Sequence, residues 1–149
     1  IPAELRAATR AGIRTSILER FPMRAQVDLP IAVAGTATTV SAILLDRPSY
    51  EPDLVHGFSF SSAQLDEVVE RLAAMELNER RGVRGLEPAR APVIIGGLLI
   101  LQELLAAWKI DRIETSERDI LDGIALRAGR MAIEAGIFEM PEPFGRAGC

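Results

Sequence analysis

The residues best able to do chemistry are gathered in one stretch, Ile31-Ala-Val-Ala-Gly-Thr-Ala-Thr-Thr39. Gly35 has no Cβ, so the backbone there can approach a ligand closely. Thr36, Thr38 and Thr39 bring hydroxyl donors. Leu29, Ile31 and Val33 read as a short buried strand, and Val40 to Leu45 as an apolar segment of helical length. A helix start presents unpaired N–H groups and the positive end of a dipole. Strand, glycine turn and helix start together favour an anion. Gly35, Thr36, Ala37, Thr38 and Thr39 are therefore read as a phosphate-binding turn. The competing reading is that Thr36 merely caps a helix beginning near Ala37. The turn is not a P-loop, for it lacks the Gly-x4-Gly-Lys-Ser/Thr spacing and has no lysine. Nor does Gly35 belong to a Gly-x-Gly-x-x-Gly dinucleotide fingerprint.

Other reactive side chains form no catalytic set. His56 is the single histidine and reads as a hydrogen-bonded structural group. There is no Gly-x-Ser-x-Gly elbow, no cysteine pair and no His-x3-His. No catalytic residue and no metal ligand is therefore assigned. Arg80, Arg81 and Arg84 form a basic cluster that either meets a polyanion or pairs with Glu76 and Glu79. Arg90 precedes the Gly96-Gly97 pair, at a position from which it either faces the turn or lies solvated on the surface.

The elements that must position these residues follow from periodicity and punctuation. Leu5, Ala8, Gly12, Ile13, Ile17 and Phe21 share one helical face between Pro2 and Pro22. Asp46 to Asp53 is a loop, and Val55 to Phe60 a weak strand. Ser61-Ser-Ala-Gln64 is a capping box opening a helix with Leu65, Val68, Val69, Leu72 and Met75 on one stripe. Leu77 to Arg81 is a helical turn, and Gly82 to Pro88 a loop. A long helix ends at Trp108 and is apolar enough to be covered on nearly all sides. Its Gly96-Gly97 pair implies close approach of another backbone or a ligand. Arg112 to Thr115 is a strand, residues 116–119 a cap, and Ile120, Leu121, Ile124, Ala128 and Met131 a last stripe. Residues 140–149 read as a loose tail. Few strands among many helices give an α/β class with a small sheet. Three strands cannot cover so many helices, so strands outside this sequence are expected to complete the sheet.

A chain of 149 residues, 48% of them hydrophobic, is one ordinary domain with a real core. A net charge of −4 leaves no electrostatic footprint for nucleic acid. The longest apolar run, Pro92 to Trp108, is interrupted by Gln102 and Glu103 and is too short for a membrane span. The single cysteine, Cys149, permits no disulfide framework and fits a reducing, cytoplasmic compartment. Ile1-Pro2 has no signal-peptide pattern and no initiator Met, as expected of a piece of a longer chain.

Four stretches, taken in order, resemble one family. They are Ala32-Val-Ala-Gly-Thr-Ala-Thr-Thr39, Val55-His-Gly-Phe58, Gly85-Leu-Glu-Pro-Ala-Arg90 followed by Val93-Ile-Ile-Gly96, and Ile113-Glu-Thr-Ser116 leading to Asp122-Gly123. They are similar to the C-terminal half of exopolyphosphatase / guanosine pentaphosphate phosphohydrolases (Ppx/GppA), of the actin–hexokinase–Hsp70 superfamily. The resemblance implies a partial ribonuclease-H-like lobe, helix-rich with a small sheet, spanning 1–149 as one domain. It implies release of terminal phosphate from inorganic polyphosphate or guanosine pentaphosphate, with Mg2+. It also implies a missing N-terminal lobe carrying the catalytic glutamate, and a homodimeric parent. Gly35 to Thr39, with Arg90, carry over as phosphate contacts. Two positions depart from the pattern: Ala34 stands where a glycine is usual, and Pro92 where an acid usually follows the Arg-Ala pair. Binding of polyphosphate or an alarmone without catalysis is the alternative, and a structural dimerisation lobe a third.

Overall fold

The structure is a computed structural model and describes residues 1–22 and 26–137. The expected tail, 140–149, lies outside the described residues. The chain divides into two compact units, Ile1–Glu117 and Arg118–Cys149.

The first unit opens with α1 (Ala3–Arg20), which stops before Pro22. Then come β1 (Ile31–Val33), α2 (Gly35–Leu45), the single turn α3 (Pro52–Val55), β2 (Ser59–Ser61), α4 (Ser62–Ala74), α5 (Leu77–Arg81), α6 (Ile94–Trp108) and β3 (Arg112–Ser116). A 3-10 turn, Pro88–Arg90, leads into α6. The three strands form one sheet in the order β1-β3-β2. β1 runs parallel to β3, with Ala32 opposite Thr115, and β2 runs antiparallel, with Phe60 opposite Ile113.

The expected strand at Val55 to Phe60 is shorter than its sequence implied. Pro52 at a helix start and Asp53 in the first turn favour a helical turn, which buries Val55 and leaves only Ser59–Ser61 extended. The capping box is formed: the Gln64 N–H donates to Ser61 Oγ at 3.1 Å and the Ser61 N–H to Gln64 Oε1 at 2.9 Å. It sets α4 so that Leu65, Val68, Val69 and Leu72 enter the core with Val40, Phe60, Leu98 and Ile113. α6 packs on α1, α4 and α2. Its contact with α1 is fixed by Glu103, buried in α6, which accepts from Arg10 Nε at 2.6 Å and Arg14 Nε at 2.8 Å.

Two expectations about cover are corrected. Leu29, Ile31 and Val33 are exposed rather than buried, because β1 is the edge of the sheet and has a neighbour on one side only. α6 is not enclosed on nearly all sides, since Ile100 is half exposed. Between them runs an apolar cleft of about 610 Å³, lined in part by Leu29, Ile31, Val33, Ile100, Leu104 and Trp108.

The second unit holds α7 (Ile120–Glu134). Asp119 caps it, accepting from the Leu121 N–H at 2.7 Å while its own N–H donates to Asp122 at 2.9 Å. Its apolar residues Ile120, Leu121, Ile124 and Met131 are exposed.

Candidate functional site

The turn after β1 is tighter than a simple helix cap. α2 begins at Gly35, and Ala34 is its N-cap residue, with φ 71° and ψ 173°. That backbone region belongs almost wholly to glycine, so Ala34 carries strain. Thr36 therefore lies inside the first turn of α2 and does not cap it. The first helical bond runs from the Thr38 N–H to the Ala34 carbonyl at 3.3 Å. The N–H groups of Gly35, Thr36 and Ala37 precede it and have no partner within the helix. No acidic residue occupies this turn to offset its positive dipole end.

The threonines point in different directions. Thr39 is buried and its hydroxyl donates back to the Gly35 carbonyl at 2.6 Å. The Thr38 hydroxyl lies 3.5 Å from the Ala34 carbonyl. The Thr36 side chain faces α6, where a Cβ on Gly97 would fall 2.7 Å from its hydroxyl oxygen. Gly97 thus admits Thr36, whereas Gly96 has open space around it. Ala37 is buried. α2 is held to the sheet by a buried hydroxyl pair, Ser41 and Thr115, 2.7 Å apart.

Arg90 reaches the turn. A Cβ built on Gly35 would fall 1.6 Å from Arg90 Nη1 and 2.5 Å from its Cζ, so the guanidinium occupies the space above the bare Gly35 backbone. Its Nε donates to Glu87 at 2.9 Å. The structure thus brings Gly35, Thr36, Ala37, Thr38 and Thr39 together with Arg90, although Ala37, Thr38 and Thr39 are buried. The segment carrying Arg90 rests on α2 through Gly85, whose φ is +78° and whose added Cβ would fall 2.4 Å from the Ala42 carbonyl carbon.

Sequence reasoning missed the rim. The Tyr50 hydroxyl donates to Glu117, at the end of β3, and also meets the Thr38 side chain. Partial burial and the Glu117 carboxylate push the Tyr50 phenol above its ordinary value. His56 sits at the C-terminus of α3, exposed, and its Nδ1 accepts from the Glu117 N–H at 3.4 Å. No local spacing relates Tyr50 to Glu117; the signal lies in the sheet's long-range pairing.

The arginine cluster also differs from expectation. Glu76 and Glu79 form a capping box at the start of α5 rather than ion pairs with it. Arg81 donates to Asn78, and Arg84 lies 3.9 Å from Asp46. Arg80 is buried against backbone carbonyls. Among the described residues no group of three His, Cys, Asp or Glu side chains is arranged to hold a metal ion. No helix among them is long and apolar enough to cross a membrane.

The turn, its arginine and the sheet around them can be set beside known proteins. The sequence profile of the Ppx/GppA phosphatase family matches residues 6–130. The chain belongs to the Ppx/GppA phosphatase family. Exopolyphosphatase 2 of Mycobacterium tuberculosis is 38% identical over 100 residues, 64% of this chain and 31% of that protein. A bifunctional 3-dehydroquinate synthase/phosphatase of Fusobacterium nucleatum is 34% identical over 96 residues, 14% of its length. The crystal structure of an exopolyphosphatase-like protein matches with a TM-score of 0.79 at 28% identity, covering 87% of this chain and 44% of that one. The Ppx/GppA phosphatase of Aquifex aeolicus matches in fold, with a TM-score of 0.78 at 21% identity over 85% of this chain and 41% of its own. The Ppx/GppA chain thus spans less than half of these relatives' length. Its fold is a partial ribonuclease-H-like lobe of the actin type, rich in helix around a small sheet.

Proposed function

We propose that this chain is the phosphate-gripping lobe of a phosphohydrolase that releases terminal phosphate from inorganic polyphosphate or guanosine pentaphosphate. One observation carries the reading. The Arg90 guanidinium lies over Gly35 at the positive end of α2, in a first turn without an acid. Both groups are positive and lie against each other there, and an anion held beside the two converts repulsion into two attractions. A terminal phosphate has the charge and the acceptors to meet the free N–H groups of the turn, the Thr38 hydroxyl and the Arg90 fork.

The turn is suited to grip rather than to activate water. The carboxylates beside it are engaged, Glu87 by Arg90 and Glu117 by Tyr50. The general base, on this reading, comes from another lobe of the longer protein, and the open edge of β1 is where further strands would join. The family likeness also implies Mg2+, yet the described residues offer no cluster of ligands for it, so no step is derived through the metal. The single cysteine supports a cytoplasmic setting, and the exposed apolar cleft supports a homodimeric parent.

Gly35→Val tests the reading. The branched side chain would displace the Arg90 guanidinium and crowd the turn, while Gly35 itself is helical and tolerates a side chain conformationally. Calorimetric titration of the longer protein with a short polyphosphate should lose binding, while the thermal melt changes little. Thr38→Val should weaken binding by about 0.5–1.5 kcal/mol, or up to roughly 3 kcal/mol if the hydroxyl meets a charged oxygen. Unchanged affinity in a folded Gly35→Val protein would overturn the proposal.

A further inference from the structure

Arg80 is the most unusual charged side chain outside the turn. It is 5% exposed, and among the described residues no carboxylate pairs with it. Its three hydrogen bonds go to backbone carbonyls: Nε to Leu72 at 2.9 Å, Nη2 to Met75 at 2.9 Å and Nη1 to Ala91 at 3.2 Å. Leu72 lies in the last turn of α4 and Met75 is its C-cap residue, and the carbonyls at that end have no partner within the helix. The negative end of the α4 dipole thus stands in for a counter-ion and makes the buried guanidinium tolerable. Closing a helix end does not require an arginine, since a residue in the left-handed conformation does it with backbone alone.

The third bond distinguishes this cap. Ala91 directly follows Arg90 and is fully buried. Its N–H donates to the Pro88 carbonyl, and the Val93 N–H donates to the Arg90 carbonyl at 3.0 Å. The short turn that carries Arg90 is therefore tied at its exit to the end of α4, through one planar side chain. Five N–H groups in a fixed fork can reach three separated carbonyls, and a lysine ammonium cannot hold the same span. We infer that Arg80 is a positioning residue for Arg90, fixing the backbone from which the Arg90 guanidinium extends over Gly35. Its consequence for ligand affinity rests on the phosphate-gripping reading above; its effect on Arg90 does not.

Two measurements on the 149-residue chain test it. The first is the side-chain Nε–H signal of Arg90 in nitrogen-edited NMR, without ligand. In the native chain it is expected to be ordered by its bond to Glu87. In Arg80→Lys it should collapse to the position and dynamics of a solvated arginine, while the backbone signals of α4 stay helical. Arg80→Gln, uncharged and able to reach one carbonyl, should give the same result if Arg80→Lys folds poorly. The second is calorimetric titration with tripolyphosphate. Arg80→Lys should weaken binding about tenfold, the scale of one charge-assisted hydrogen bond. In an Arg90→Ala background the same change should cost no further affinity, yet lower the melting temperature as before. A plain helix cap would leave the Arg90 signal untouched in both variants, and that result overturns the inference. A native chain that ignores tripolyphosphate while Arg90 loses order in Arg80→Lys would instead remove the phosphate reading and keep the positioning role.

Discussion

α4 and β1 both carry apolar side chains at the spacing their geometry requires, and they meet opposite fates. On α4, Leu65, Val68, Val69 and Leu72 are all at or below 3% exposure. Along β1 and its approach, Leu29 is 67% exposed and Ile31 and Val33 are each 51% exposed. The difference lies in the neighbours. α4 packs on α6, β2 and α2, whereas β1 pairs only with β3, touches α2, and turns Ile31 and Val33 to the cleft. Apolar spacing reports which face of a segment asks for cover. It does not report whether the same stretch of chain supplies it. The closed side is also the side that holds α2, and with it the turn beneath Arg90 in place.

The largest expected effect separates these two regions. Leu72→Ala should cost about 2–5 kcal/mol, because the core around α4 is packed from several directions and a void there stays open. Ile31→Thr should stay within about 0.5 kcal/mol, as for an exposed position without a special role. Urea unfolding of the two variants measures both. A loss at Ile31 comparable with that at Leu72 would mean that the open side is covered in solution, and light scattering would then show an assembly.

A smaller effect is expected on the third face of α6, where Glu103 meets α1. Burial pushes the Glu103 carboxyl upward, but the hydrogen bonds and charges of Arg14 and Arg10 outweigh it and hold the group below its ordinary value. A depressed folded value means that the stabilisation is present above the unfolded value of about 4.5 and is lost as the pH falls through the folded one. Glu103→Gln should cost about 1–3 kcal/mol near neutrality, since both arginines remain free to turn into solvent. The gap between native chain and variant should narrow as the pH drops below about 4.5. A gap that does not change with pH would show that packing, not charge, joins α1 to α6 here.

What the sequence made legible was local. The Ser61–Gln64 capping box, the α4 stripe, the long apolar helix before Trp108 and the glycine turn all depend on residues a few positions apart. Those interactions survive in most folds. The unreadable parts depended on distance along the chain. Tyr50 meets Glu117 and Ser41 meets Thr115 only because the sheet brings β3 beside α2. Arg80 reads in sequence as part of a cluster that meets a polyanion or pairs with Glu76 or Glu79, because a buried guanidinium satisfied by carbonyls leaves no mark there. Val55 has the alternation of a strand residue, yet Pro52 starts a helical turn that takes it in. Gly35 stood out as the special residue of its turn, yet the positive φ falls one residue earlier. Gly35 matters for the room it leaves Arg90.

That displaced strain lies at the joint between the two regions, where the open strand β1 hands over to the buried helix α2. Ala34 at φ 71° and ψ 173° occupies a conformation that costs a non-glycine residue about 1–3 kcal/mol. Ala34→Gly should relieve most of it, against a loss of roughly 0.5–1 kcal/mol from the greater freedom of the unfolded chain. A net gain on the order of 1 kcal/mol is expected, read as a higher midpoint in urea. The methyl group makes no hydrogen bond, so the variant should keep the positions of Gly35 and Arg90 and leave polyphosphate affinity unchanged. The opposite sign would be informative. A destabilised Ala34→Gly chain would mean that the residue relaxes out of this region in solution. Because β1 is tied to the sheet on one side only, it is the partner free to move. The turn would then reach its tight form only when the open edge is paired. A stabilised variant places the strain in the isolated chain itself, held there by the buried body of α2.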